Sequence, residues 1–119
     1  MADLQAMYDH AYDLLCDGNT EEAIVAYKAI IDLDPNYIEA VHDLAHAYAD
    51  GGNLDEAIVT ARRLTDLTPE DPLWFTLLSR FYQQKDMVPE AEAEAAKARM
   101  LDWKRQLLEK KAAKPQTNQ

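Results

Sequence analysis

The sequence predicts an all-α chain, built as an array of three stacked helix pairs with a further helix closing its C-terminal end. Three observations carry that reading. Leu33-Asp34-Pro35, Leu67-Thr68-Pro69 and Leu101-Asp102-Trp103 lie 34 residues apart. So do Glu22-Ala23, Glu56-Ala57 and Glu90-Ala91. Two further columns share that spacing, Leu14, Tyr48 and Tyr82 in one and Ala11, Ala45 and Ser79 in the other. A fixed period of this length is the mark of a repeat architecture, in which each unit buries its apolar face against its neighbours.

The elements follow from local chemistry. Helices are expected at about 3–16, 20–33, 37–50, 54–67, 71–84 and 88–101. Gly18 and the pair Gly51-Gly52 supply left-handed backbone positions that end the first helix of a pair. Asn19-Thr20-Glu21-Glu22 and Asn53-Leu54-Asp55-Glu56 then offer cap residues and first-turn acids. Pro35 and Pro69 stop the second helix. The small columns let two helices approach closely where they cross, and the large column fills the space beside the crossing. His10 stands in a packing column and is expected to be partly buried near Asp9 and Asp13.

The third unit ends differently. No helix breaker lies between Glu90 and Lys114, and Trp103, Leu107 and Leu108 recur at helical spacing. Either the chain bends near Asp102 and folds residues 103–113 back as a capping helix, or residues 90–113 run as one helix with an exposed apolar strip. The bent cap is expected, because an uncapped end leaves an apolar face in water. Trp74 and Trp103 are expected to close that end. Residues 114–119 read as a polar, disordered tail. The units are therefore 4–37, 38–71 and 72–102, followed by the cap at 103–113.

With these motifs the chain resembles the tetratricopeptide repeat family. The middle unit carries Leu44, Ala45, Tyr48, Gly52, Ala57, Leu64 and Pro69 at or near the family's signature positions. The first keeps Ala11, Gly18, Ala23, Tyr27 and Pro35, but has His10 and Leu14 where leucine and tyrosine are usual. The third keeps Leu78, Ser79, Tyr82 and Ala91, with Asp86 for the turn glycine and Trp103 for the final proline. The resemblance implies a right-handed α-solenoid whose concave groove, lined by the first helix of each pair, holds a partner protein or peptide. Carried over position by position, the groove residues are Gln5, Tyr8, Asp9 and Tyr12 in the first unit. Glu39, His42, Asp43, His46 and Asp50 follow in the second, and Thr76, Arg80 and Gln83 in the third. Tyr8, Tyr12, His42, His46 and Arg80 would form a ladder of planar side chains, a residue class enriched at interfaces. Family members that clamp a C-terminal carboxylate use Lys, Asn and Arg at fixed groove positions. Arg80 is the one cation among the corresponding residues here, so an acidic C-terminal peptide is not the expected ligand.

Charge and composition narrow the function further. The net charge of −10 opposes general nucleic-acid binding, which depends on neutralising phosphates. Residues 4–71 sum to −12 and residues 103–119 to +4, so the expected partner is a basic or neutral protein or peptide. No apolar stretch approaches the roughly 20 residues of a membrane span, and Met1–Leu15 lacks the pattern of a signal peptide. The lone Cys16 suits a reducing compartment, and a cytoplasmic protein is expected. His42-Asp43-Leu44-Ala45-His46 is close to a zinc-protease motif. Yet Asp is a methylene shorter than the usual Glu, and the only other histidine, His10, sits on another helix. No metal or cofactor and no catalysis are expected. A monomer with a free groove is the expected state, with self-association through the C-terminal edge as the alternative.

Overall fold

The computed structural model describes residues 3–113. The tail expected at 114–119 lies outside them. Six helices follow one another among these residues: α1 (Leu4–Cys16), α2 (Thr20–Leu33), α3 (Ile38–Asp50), α4 (Leu54–Leu67), α5 (Pro72–Gln84) and α6 (Val88–Ala113). Each packs against the next in sequence, and α1 also touches α3.

Three turns inside the pairs share one backbone design. The residue after the left-handed position donates to a carbonyl five residues back: Asn19 to Leu14 at 2.9 Å, Asn53 to Tyr48 at 2.8 Å and Met87 to Tyr82 at 2.9 Å. This is the bond that closes a helix C-terminus through a left-handed residue. Gly18 (φ +83°) and Gly52 (φ +84°) fill that position in the first two turns, and Asp86 (φ +60°) fills it in the third. Gly51 does not share the role, for its φ is −80°.

The stops between pairs rest on proline. Asp34 (φ −142°) and Thr68 (φ −137°) are extended, the region forced on a residue that precedes proline. Asp71 then caps α5 by accepting from the Leu73 N–H at 3.0 Å, with Pro72 at the first helical position. Asp3 and Asn53 cap α1 and α4 in the same manner.

The core follows the small-residue columns. Ala11, Ala45 and Ser79, and Ala23, Ala57 and Ala91, are all buried where helices cross. Tyr27, Ile30, Val41, Leu64, Leu78 and Phe81 fill the volume around them. A partly buried polar knot fastens the last three helices together. Arg62 on α4 donates to both carboxylate oxygens of Glu94 on α6, at 2.8 and 3.3 Å, and to the Tyr82 hydroxyl on α5 at 3.3 Å.

Four expectations are corrected. There is no bend at Asp102 and no separate capping helix at 103–113: α6 runs unbroken to Ala113. Nothing in this stretch removes a backbone donor. Asp102 instead braces the helix, accepting from Arg105 at 2.8 Å and Gln106 at 3.2 Å. Trp103 is 62% exposed and closes nothing. Trp74 is buried, but between the second and third pairs, where its Nε1 donates to Thr68 Oγ1. His10 is exposed. Leu44 and Leu78, its counterparts in the column, are buried because α3 packs on α2 and α5 on α4. No helix precedes α1 among the described residues to cover His10 in the same way.

Candidate functional site

The face built by α1, α3 and α5 has a hydrogen-bonded floor centred on Asp43. One carboxylate oxygen, Oδ2, accepts from the Tyr8 hydroxyl of α1 at 2.6 Å and the Tyr27 hydroxyl of α2 at 3.0 Å. The other, Oδ1, lies 3.5 Å from His42 Nδ1. His42 Nε2 lies 3.1 Å from His46 Nε2, so one ring must donate and the other accept. The arrangement consistent with both contacts has His42 protonated on Nδ1 toward Asp43, accepting at Nε2 from His46. A relay of polar contacts therefore runs from α1 and α2 into α3.

Aromatic contacts extend it to α5. His42 sits 5.4 Å from the Trp74 ring and His46 meets Phe81 edge-on at 6.0 Å. At the other end Tyr8 stacks between Tyr12 (6.3 Å) and Tyr37 (5.7 Å) and meets Tyr27 edge-on. The expected ladder is therefore two clusters, a tyrosine group on the first unit and a histidine pair on the second, joined by Asp43.

These surroundings shift the titrations. Burial alone would raise the Asp43 carboxyl, but the hydrogen bonds from His42, Tyr8 and Tyr27 outweigh it and hold the group below its ordinary value. Burial, helped by Asp43, pushes both Tyr8 and Tyr27 well above the usual phenol range. His46 is lowered, first by burial and then by His42 and Arg80, against the opposite pull of Asp43 and Asp50.

The remaining sequence-assigned residues stand at the surface of this floor. Tyr12, Asp9, Glu39, Asp50, Thr76, Arg80 and Gln83 are exposed. Gln5 is exposed too and donates to Asp9 at 3.0 Å, while the Thr76 hydroxyl turns back to the Pro72 carbonyl at 3.1 Å. Four contributors were not assigned to the site from sequence: Tyr27, Tyr37, Trp74 and Phe81. Tyr27 was visible as a signature residue, but its reach from α2 under α1 to Asp43 needed the helix crossing. The two histidines face each other, and among the described residues no group of three or more His, Cys, Asp and Glu side chains could hold a metal.

The family model for the tetratricopeptide repeat matches residues 14–81, more than half of the chain. The chain belongs to the tetratricopeptide repeat family. Its similarity to solved structures is one of fold. The crystal structure of MamA matches with a TM-score of 0.81 at 22% identity, over 87% of this chain and 60% of that one. This tetratricopeptide chain thus spans less than two thirds of MamA. The Yersinia enterocolitica type III secretion chaperone SycD, in complex with a peptide of the translocator YopD, matches with a TM-score of 0.77 at 22% identity, covering 82% and 75%. PcrH, in complex with the chaperone-binding region of PopB, matches with a TM-score of 0.78 at 16% identity, covering 85% and 83%. No curated protein sequence matches. No helix among the described residues is long and apolar enough to cross a membrane.

Proposed function

We propose that this tetratricopeptide array is a non-catalytic interaction module that holds a basic or neutral peptide, or one helix of a partner protein, in the groove of α1, α3 and α5. One observation carries the reading: a floor tied by the Tyr8–Asp43–Tyr27 hydrogen bonds supports an exposed rim that is planar and acidic. The floor is preorganised, which lowers the cost of ordering side chains on binding. Tyr12, 49% exposed, offers rigid contact area with a polar tip. Asp9, Asp13, Glu39, Asp43 and Asp50 are the charged side chains of α1 and α3, and neither helix carries a lysine or arginine. That charge favours cationic ligands and disfavours the phosphates of nucleic acid. The complexes of SycD with a YopD peptide and of PcrH with a PopB segment support peptide holding as a use of this fold.

The test is a titration of the full chain with a basic amphipathic peptide and its charge-reversed twin, at low and high salt. The basic peptide should bind more tightly and lose affinity as salt screens the rim. Equal or tighter binding of the acidic twin would overturn the electrostatic part of the reading. The second reading, a scaffold that self-associates through its C-terminal edge, draws on the exposed end of α6.

A further inference from the structure

All residues from Trp103 to Ala113 are exposed. α6 is twice as long as α5, and its exposed stretch from Trp103 to Ala113 projects roughly 16 Å at about 1.5 Å per residue. Along this overhang Trp103 (62% exposed), Leu107 (46%) and Leu108 (59%) form an apolar strip that continues back to Met100. Lys104, Arg105, Lys110 and Lys111 flank the strip, against one acid, Glu109. Three helical turns free in water are marginal without a surface to pack on.

We propose that the α6 overhang of one copy docks in the α1–α3–α5 groove of a second copy. The inference rests on the groove reading above and names a ligand for it. Charge decides between the occupants available to a second copy. The overhang is basic and amphipathic, and the groove rim offers Asp9, Glu39 and Asp50, all exposed. Pairing two α6 overhangs instead would set lysine against lysine, a juxtaposition that costs affinity. An unbroken helix also cannot turn back into its own groove. The contact is therefore head to tail: each copy uses its groove for one neighbour and its overhang for another, so copies add in a line or close in a ring. The overhang would then compete with a partner peptide for the same groove.

The experiment is sedimentation velocity on the full chain over a range of concentrations and salt. It is repeated on a groove variant, Glu39→Lys with Asp50→Lys, and an overhang variant, Lys104→Glu with Lys111→Glu. None of the four positions belongs to the hydrogen-bonded floor and all are exposed, so circular dichroism should be unchanged for both variants. The proposal expects wild type to self-associate in low salt and both variants to stay monomeric. Mixing the variants should restore a complex, because each supplies the surface the other lacks. A chain that is monomeric at every concentration, or a groove variant that associates as wild type does, overturns it. Titrating the same wild-type chain with the basic peptide separates the two readings: peptide binding by a monomeric chain removes the self-docking and leaves the groove function standing.

Discussion

Asp43 is the residue on which the hydrogen-bonded floor of the α1–α3–α5 face depends. It is the shared acceptor for hydroxyls from two other helices, and its side chain is only 13% exposed. Asp43→Asn removes the charge from both bonds and, with its carbonyl oxygen kept on the two hydroxyls, turns its amide nitrogen toward His42 Nδ1. Hydrogen bonds to a charged group contribute about 1.5–3 kcal/mol, so a loss of roughly 2 kcal/mol is expected in urea unfolding. Tyr27→Phe removes one bond and should cost less, about 1 kcal/mol. Acidification should act in two stages. His46 is lowered in the folded chain, so the unfolded chain takes up a proton first. Stability is then full above the ordinary histidine value near 6.5 and is lost as pH falls below it toward the lowered value. Asp43 is also lowered, so its contribution is present above the ordinary carboxyl range near 3.9 and is lost as pH falls through its folded value. His46→Gln should abolish the first stage and leave the second. Because His46 lies on the face proposed to hold the peptide, peptide affinity should change over the same acidic range as its protonation.

At the scale of elements, the turns show what could be read in the chain and what could not. Gly18, Pro35 and Pro69 act through their own backbones, so their positions alone fixed where α1, α2 and α4 end. Asp86 was visible as a departure from the glycine column, and the structure places it at φ +60°. A non-glycine residue there is strained, so Asp86→Gly should raise stability by about 0.5–1 kcal/mol, measured as a shift in urea midpoint at unchanged slope. The end of α6 was the illegible element. Its course depends on the absence of a stop signal, and an amphipathic strip reads the same whether it folds back or projects. Trp74 was misplaced for a related reason: its partners, His42 and Thr68, come from the neighbouring unit, and inter-unit register is not written in local spacing. Glu94 was legible only as one acid among many, yet its side chain is 8% exposed and holds Arg62. Glu94→Gln should destabilise by roughly 1–2 kcal/mol, less than a fully buried pair, since Arg62 is 38% exposed and solvent screens it.

For the whole molecule, the unbroken α6 leaves its last eleven residues without buried contacts. Deleting residues 104–119 removes no buried side chain from the described residues, so the melting temperature of a dilute sample should be unchanged. At high concentration in low salt, where the overhang would find a neighbouring groove, the full chain alone should gain stability from association. The charge is divided, −12 over residues 4–71 and +4 over 103–119, so an acidic N-terminal part stands against a basic C-terminal one. That polarity is a property of the chain, and the fold arranges it so that the acidic helices α1 and α3 border the preorganised floor. The most direct test of this account is nuclear magnetic resonance mapping on the isotope-labelled full chain with a peptide selected from a random library. Groove binding predicts that amide shifts concentrate on α1, α3 and α5, around Tyr12, Glu39, His46, Asp50 and Arg80, with α2 and α4 little changed. Shifts confined to the outer helices α2 and α4, with the Asp43 network untouched, would contradict it.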